Sequence, residues 1–287
     1  VNHTGQLAVD APVTVATDWR DVVRAECDAV IIATPPHAHA EIVEACVEAG
    51  KPCIVEKPFC LDVASAERVH RLVQGSAVPV LVNHTYLFHP AYLALKQAVR
   101  IARESIQVII SEGMGWGPFR TGVPAIWDWC PHDFSLCLDL LGERPEEVDT
   151  LAGPPNPQGH AELVSVRLDF PAGASAWIQA GPLAPHHRRT LTVVTDTRLY
   201  AFDDLAVDQV TVSPFDFRQR YGRGIPDSLE RVPVATSTDR LPMVNMVAYF
   251  LDGLAGGDQR YFGTELAVDI VRLLARCEAA AKRFVTR

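Results

Sequence analysis

What this sequence lacks excludes several classes of function. No apolar run in the 287 residues approaches the roughly 18 that a membrane-spanning helix needs. No basic block offsets the net charge of −9, which argues against nucleic acid and against an anionic membrane as partners. The opening Val1-Asn2-His3-Thr4-Gly5 has no charged segment followed by an apolar core, so no secretory signal is read there. The seven cysteines are odd in number, include no Cys-x-x-Cys, and sit mostly in apolar segments. Reduced, buried thiols in a cytoplasmic protein explain that pattern better than disulfides or zinc. A G-x-G-x-x-G turn is also missing. Gly113-x-Gly115-x-Gly117 follows a strand-like run but has the wrong spacing, and Pro118 to Pro124 read as a loop where a phosphate cradle needs a helix. There is no internal repeat and no low-complexity tract.

What is present falls into two halves. Residues 11 to 100 alternate short apolar runs with helical patterns. Pro12 to Ala16 reads as a strand, and Asp18 caps a short helix. Asp28 to Thr34 is apolar through its centre, as a strand covered on both faces should be. His39 to Ala49 has helical periodicity and stops at Gly50. Cys53 to Val55 is the next strand, Val63 to Val73 the next helix and Val78 to Val82 a further strand. That order implies parallel strands with right-handed crossovers. The second half has a helix from Pro131 to Leu140. Strand-like segments follow at Glu146 to Leu151, Ala161 to Phe170, Ala174 to Ala180, Thr190 to Val194 and Arg198 to Phe202, with a weaker one at Val207 to Val212. No helix is read between them, so a mainly antiparallel sheet is expected. Helices from Pro242 to Leu254 and from Thr264 to Phe284 close the chain.

Two constellations have chemical potential. Thr34-Pro35-Pro36-His37 and Glu56-Lys57-Pro58 end consecutive parallel strands, and ligands of open α/β sheets bind beyond the carboxyl ends of the strands. Prolines stiffen both turns, which suits a site that orients a flat ring. On position alone, Lys57 is equally readable as an ordinary loop lysine. Asp128 and His132 stand four apart at a helix start, with Pro131 placed in the first turn. An Asp beside a His orients the ring for general acid/base work. The plainer reading makes Asp128 a cap and His132 a satisfied core histidine. His84, His89, Asp128 and His132 have no zinc-like spacing, so no metal is expected. His186-His187-Arg188-Arg189 reads as a solvated strand end, or as a contact for an anionic substrate group.

Taken in order, these residues resemble the glucose-fructose oxidoreductase / inositol dehydrogenase (Gfo/Idh/MocA) family. The matching stretches are Asp28 to Pro36 with His39, Ala49-Gly50-Lys51, Glu56-Lys57-Pro58, Asn83 to Pro90, and Trp127 to Asp133. The resemblance runs from about Pro12 to the final helix pair, and its last two motifs look like a branch whose members often act on sugars or nucleotide sugars. It implies an α/β fold: an incomplete Rossmann-type parallel sheet in a partial dinucleotide-binding domain over residues 1–103. A substrate and dimerisation domain over residues 104–287 would follow, built on a large, mainly antiparallel open sheet, with the final helices folding back on the first domain. It also implies a dehydrogenase using NAD or NADP on a sugar-like small molecule, working as a homo-oligomer (dimer or tetramer) through the second sheet. Thr34, Pro35, Pro36, His39, Glu56 and Lys57 would contact the cofactor near its nicotinamide. Lys57, Asp128 and His132 would form the catalytic group. A ligand-sensing or regulatory relative, or a truncated inactive form, is the alternative.

Two departures from the family pattern stand out. Cys130 occupies a position that is commonly glycine. The family's first strand, glycine-rich turn, first helix and second strand are absent, and they amount to roughly 60 residues. The expectation is therefore a longer native protein, with weak dinucleotide binding by the chain as given. The residue that distinguishes NAD from NADP ends the absent second strand.

Overall fold

The computed structural model describes residues 13–116, 123–153, 155–214, 229–236 and 241–285. Strands β1 (Val30–Ile32), β2 (Cys53–Glu56) and β3 (Val80–Asn83) form a parallel sheet in that order. Val80, Leu81 and Val82 are buried, as are Cys53, Ile54 and Val55. The β2 and β3 runs are thus continuously apolar because both faces are covered. Helices α2 (His39–Glu48) and α3 (Val63–Gln74) make the crossovers. Asp62 starts α3 by accepting the Ser65 N–H at 2.7 Å, and Asp18 starts α1 (Trp19–Arg24) by accepting the Arg20 N–H at 2.9 Å. The strand expected from Pro12 to Ala16 does not form. Residues 13–16 have no regular structure, and Pro12 lies outside the described residues. Val13 and Val15 favour extended backbone, but a strand is held by a neighbour's ladder, and no described strand pairs with them.

A second sheet is assembled from β4 (Ile106–Trp116), β5 (Glu147–Ala152), β6 (Val164–Asp169), β7 (Ser175–Gly181), β8 (Leu183–Thr195), β9 (Arg198–Asp203), β10 (Val210–Pro214) and β11 (Val232–Pro233). Its order is β11-β10-β9-β8-β4-β7-β6-β5. Neighbours are antiparallel except β4 and β7, which run parallel because β4 enters the middle of the sheet. Gly113 and Gly115 lie inside β4. One face is covered by α5 (Ala125–Leu141) and α7 (Glu265–Val285), while α4 (Pro90–Ala102) packs on β9 and β10. Helix α6 (Pro242–Leu254) rests on the single turn Thr85–Phe88 after β3. Because α7 also packs against α3, one long amphipathic helix joins the two sheets. The opposite face of the second sheet leaves Trp177 51% and Ile110 46% exposed.

Helix α5 departs from its sequence reading. It starts at Ala125, so Pro131 sits inside it and not in its first turn. Proline cannot donate to the carbonyl four residues back, which opens the helix ladder at this turn. The basic cluster also departs. His186, His187 and Arg188 are exposed, but Arg189 is buried with its guanidinium 2.7 Å from Asp133 of α5. Ser111 of β4 donates to the same carboxylate at 2.6 Å. The guanidinium occupies the space that a side chain at Gly113 would need, since a Cβ there would lie 2.6 Å from it.

Gly181 ends β7 at φ +145°, and a Cβ there would lie 2.0 Å from the Glu162 carbonyl oxygen. Gly181→Ala should therefore lower stability by about 3 kcal/mol through strain and overpacking. Denaturant unfolding measures this, and an unchanged midpoint would refute it.

Candidate active site

The carboxyl ends of the three parallel strands are tied together by side chains. His39, at the start of α2, is fully buried. Its Nδ1 lies 2.9 Å from the carbonyl oxygen of Pro58, and its Nε2 lies 2.9 Å from that of Thr34. Carbonyl oxygens only accept, so the ring donates to one turn as a neutral imidazole and to both as an imidazolium. The ring thus sits between the β1 turn and the β2 turn and bonds at least one of them. Asn83 at the end of β3 donates to Glu56 of β2 at 2.7 Å and accepts from Thr85 at 2.7 Å. The Lys57-Pro58 bond between these ties is cis. Thr34 Oγ1 is buried with no hydrogen-bond partner among the described residues. Pro35 is exposed and Pro36 half-buried on the same turn.

Lys57 leaves this platform for α5. Its ammonium donates to Asp128 Oδ1 at 2.9 Å and to the Asp128 backbone oxygen at 2.5 Å. The two side chains are 12% and 18% exposed, so the pair is only lightly screened by water. The carbonyl that Pro131 leaves without its helix donor belongs to the adjacent Trp127. One turn later on α5, the His132 ring meets Tyr86 edge-on, with centroids 5.1 Å apart. Tyr86 in turn lies over the Arg189 guanidinium at 4.8 Å. Burial raises the Tyr86 pKa, and the Arg189 charge opposes that rise. Thr85, Tyr86, His89, His132, Asp204 and Met243 line a cleft of about 630 Å³.

The structure thus places Thr34, His39 and Glu56 on one platform, joins Lys57 from it to Asp128 of α5, and sets His132 in the adjoining cleft. Among the described residues no group of three His, Cys, Asp or Glu side chains is arranged to hold a metal ion. Asn83, Tyr86 and the Arg189–Asp133–Ser111 group were not assigned roles from the sequence. Asn83 ends an apolar run much as Lys57 does, and that was the available signal. Arg189 gave none, because one buried arginine among exposed basic residues looks the same in a sequence.

Residues 2–84 match the Gfo/Idh/MocA oxidoreductase family, described as having an NAD-binding Rossmann fold. A solved oxidoreductase-class protein of Magnetospirillum magnetotacticum is 35% identical, with a TM-score of 0.81 over 91% of this chain and 84% of that one. The chain belongs to the Gfo/Idh/MocA family. UDP-N-acetylglucosamine 3-dehydrogenase of Acidithiobacillus ferrooxidans is 28% identical over 188 residues, 64% of this chain and 58% of that protein. Inositol 2-dehydrogenase of Rhizobium meliloti is 30% identical over 166 residues, 54% of this chain and 50% of that protein. The chain therefore spans between half and three fifths of the length of these two curated relatives.

One histidine beside this Gfo/Idh/MocA platform, His84, is buried at 4% exposure, and neither ring nitrogen has a hydrogen-bond partner among the described residues. It lines a second cavity of about 610 Å³ with Leu87, Phe88 and Leu138. Burial pushes its pKa down from 6.5 to about 4, and the Lys57 charge adds to the effect. Between those values the unfolded chain binds more protons than the folded one. Stability is therefore complete above about pH 6.5 and falls as the pH drops toward 4, by up to ~3 kcal/mol. His84→Phe should flatten that slope in thermal unfolding scans across the window. An unchanged slope would show that His84 is not its source.

Proposed function

We propose that this chain catalyses hydride transfer between a nicotinamide cofactor and a hydroxyl or keto carbon of a sugar, nucleotide sugar or polyol. The observation that supports this best is Lys57, held by Asp128 at the end of a parallel strand next to the His132 cleft. The unpartnered Thr34 Oγ1 and the rigid Pro35-Pro36 turn fit the nicotinamide end of NAD or NADP, with Glu56 and His39 fixing the turns around it. When bound, the cofactor exchanges a hydride at its C4 position with the carbon that bears the reacting oxygen.

The residues of the chain handle the oxygen. Lys57 has three N–H donors and gives two to Asp128, which leaves one for a substrate oxygen. In the oxidation direction the C–H bond breaks with its electron pair leaving as hydride, the O–H proton passes to His132, and the C=O bond forms. The Lys57 cation stabilises the negative charge that develops on the oxygen. Asp128 keeps the ammonium in place and balances its charge. Reduction reverses each transfer. The family is NAD-binding, and the two named relatives are dehydrogenases of a nucleotide sugar and of inositol. Seven free thiols support a reducing, cytoplasmic setting.

We further propose that the chain assembles as a homo-oligomer through the open face of the second sheet, where Ile110 and Trp177 are neighbours across β4 and β7. Contiguous exposed apolar surface of this kind marks an interaction face.

Two measurements test these readings. In a panel of sugars, nucleotide sugars and inositols with NAD+ and NADP+, Lys57→Ala should lower turnover by about 10²-fold or more. Cofactor affinity should hold, and turnover close to wild type would sink the assignment. In analytical ultracentrifugation, the double variant Ile110→Asp, Trp177→Asp should sediment as a 31.4 kDa monomer where the wild type sediments as a multiple of it. A monomeric wild type would overturn the oligomer proposal.

A further inference from the structure

The cleft beside His132 contains a second histidine–carboxylate pair. His89 stands between β3 and α4, and Asp204 follows β9, 115 residues away in sequence. The hydrogen bonds fix the ring's tautomer. His89 Nδ1 accepts the Ala91 N–H at 3.2 Å and so caps α4, which requires a lone pair on that nitrogen. Nε2 therefore carries the proton and donates to Asp204 Oδ1 at 3.0 Å. The imidazole is committed at both ends. Its ring is held between Tyr86, stacked at 6.1 Å, and Phe202, edge-on at 5.1 Å.

Asp204 is consequently aimed. Its N–H donates to the Arg189 carbonyl at 3.0 Å, its own carbonyl accepts from Gln209, and His89 takes one carboxylate oxygen. The other oxygen, Oδ2, stands 3.8 Å from His187 Nε2, too far for a hydrogen bond. The side chain is 24% exposed and lines the same cleft as His132. The His89 hydrogen bond also lowers the Asp204 pKa, which favours the charged acceptor form. A fixed, charged acceptor with one uncommitted oxygen selects groups that donate hydrogen bonds and repels anions.

We propose that Asp204 is a substrate-binding residue that accepts a hydrogen bond from a hydroxyl of an uncharged, polyhydroxylated ring, and that His89 is the positioning residue that aims it. This rests on the dehydrogenase reading of the same cleft and adds to it the residue that reads the end of the ring remote from the reacting carbon. Such a contact forms alike in the ground state and the transition state, so it controls affinity and leaves the chemical step alone.

The test is calorimetric binding of myo-inositol, D-glucose and N-acetyl-D-glucosamine to the full chain with NADH present. The wild type should bind at least one of them, and Asp204→Asn should weaken that binding about 10- to 100-fold. Two His89 variants separate positioning from capping. His89→Asn keeps an acceptor near the Nδ1 position for Ala91 and loses the donor to Asp204, so it should weaken binding while the melting temperature holds. His89→Gln keeps a donor reaching toward Asp204 and loses the cap, so it should lower the melting temperature and retain most of the affinity. Equal affinity in Asp204→Asn and wild type overturns the proposal, as does a wild type that binds none of the three. If His89→Asn binds like the wild type, the histidine is only a cap and its assignment falls. Failure of the dehydrogenase reading looks different: the ligand binds and Asp204→Asn weakens it, but no change in nicotinamide absorbance follows on mixing with NAD+ or NADP+.

Discussion

The contact on which the site depends is the ion pair between Lys57 and Asp128. It joins the end of a parallel strand to a helix of the other sheet across 71 residues of sequence. A lysine brought this far out of water needs a counter-charge, and Asp128 supplies one together with a backbone oxygen. The contact depends on what surrounds it. His39 and Asn83 make the platform under Lys57 stiff, and Pro131 opens the turn of α5 that the ammonium reaches. Two of three ammonium protons are committed, so the cation is directional as well as charged.

A second layer lies below the cleft. The Arg189–Asp133 pair is buried between β8 and α5, with Ser111 donating to the same carboxylate oxygen as the guanidinium. Removing one member of such a pair strands the other charge, at a cost of roughly 3–5 kcal/mol. The pair has a further effect upward. Its guanidinium supports the Tyr86 ring, and Tyr86 sets the wall against which both His132 and His89 rest. The cleft therefore inherits its shape from a charge pair buried beneath it.

Much of this was legible in the chain because burial leaves a local trace. Cys53-Ile54-Val55 and Val80-Leu81-Val82 read as strands since both faces are covered, and Glu56-Lys57-Pro58 could then be placed at a strand's carboxyl end. Helix α6 falls on its expected bounds because Pro242 and an apolar stripe mark it. The misreadings have physical causes. Pro131 was put in a first turn because proline is comfortable there, whereas a tertiary contact to Lys57 lies at the interior turn that it opens. Arg189 was counted with its exposed neighbours because side-chain direction in β8 depends on a register that only the assembled sheet defines. Val13 and Val15 have strand propensity without a partner. His89 and Asp204 are far apart in sequence, so nothing local announces their pairing.

Gly113 and Arg189 share one volume between adjacent strands. The glycine is empty where the arginine is full, and each is tolerable only because of the other. Among divergent chains with this arrangement, the two positions should drift as a linked pair. A side chain can appear on β4 only in lineages where β8 has already given up its buried cation, and with it the partner of Asp133. A single hydrogen atom on one strand thus constrains which charges the neighbouring strand can explore over evolutionary time.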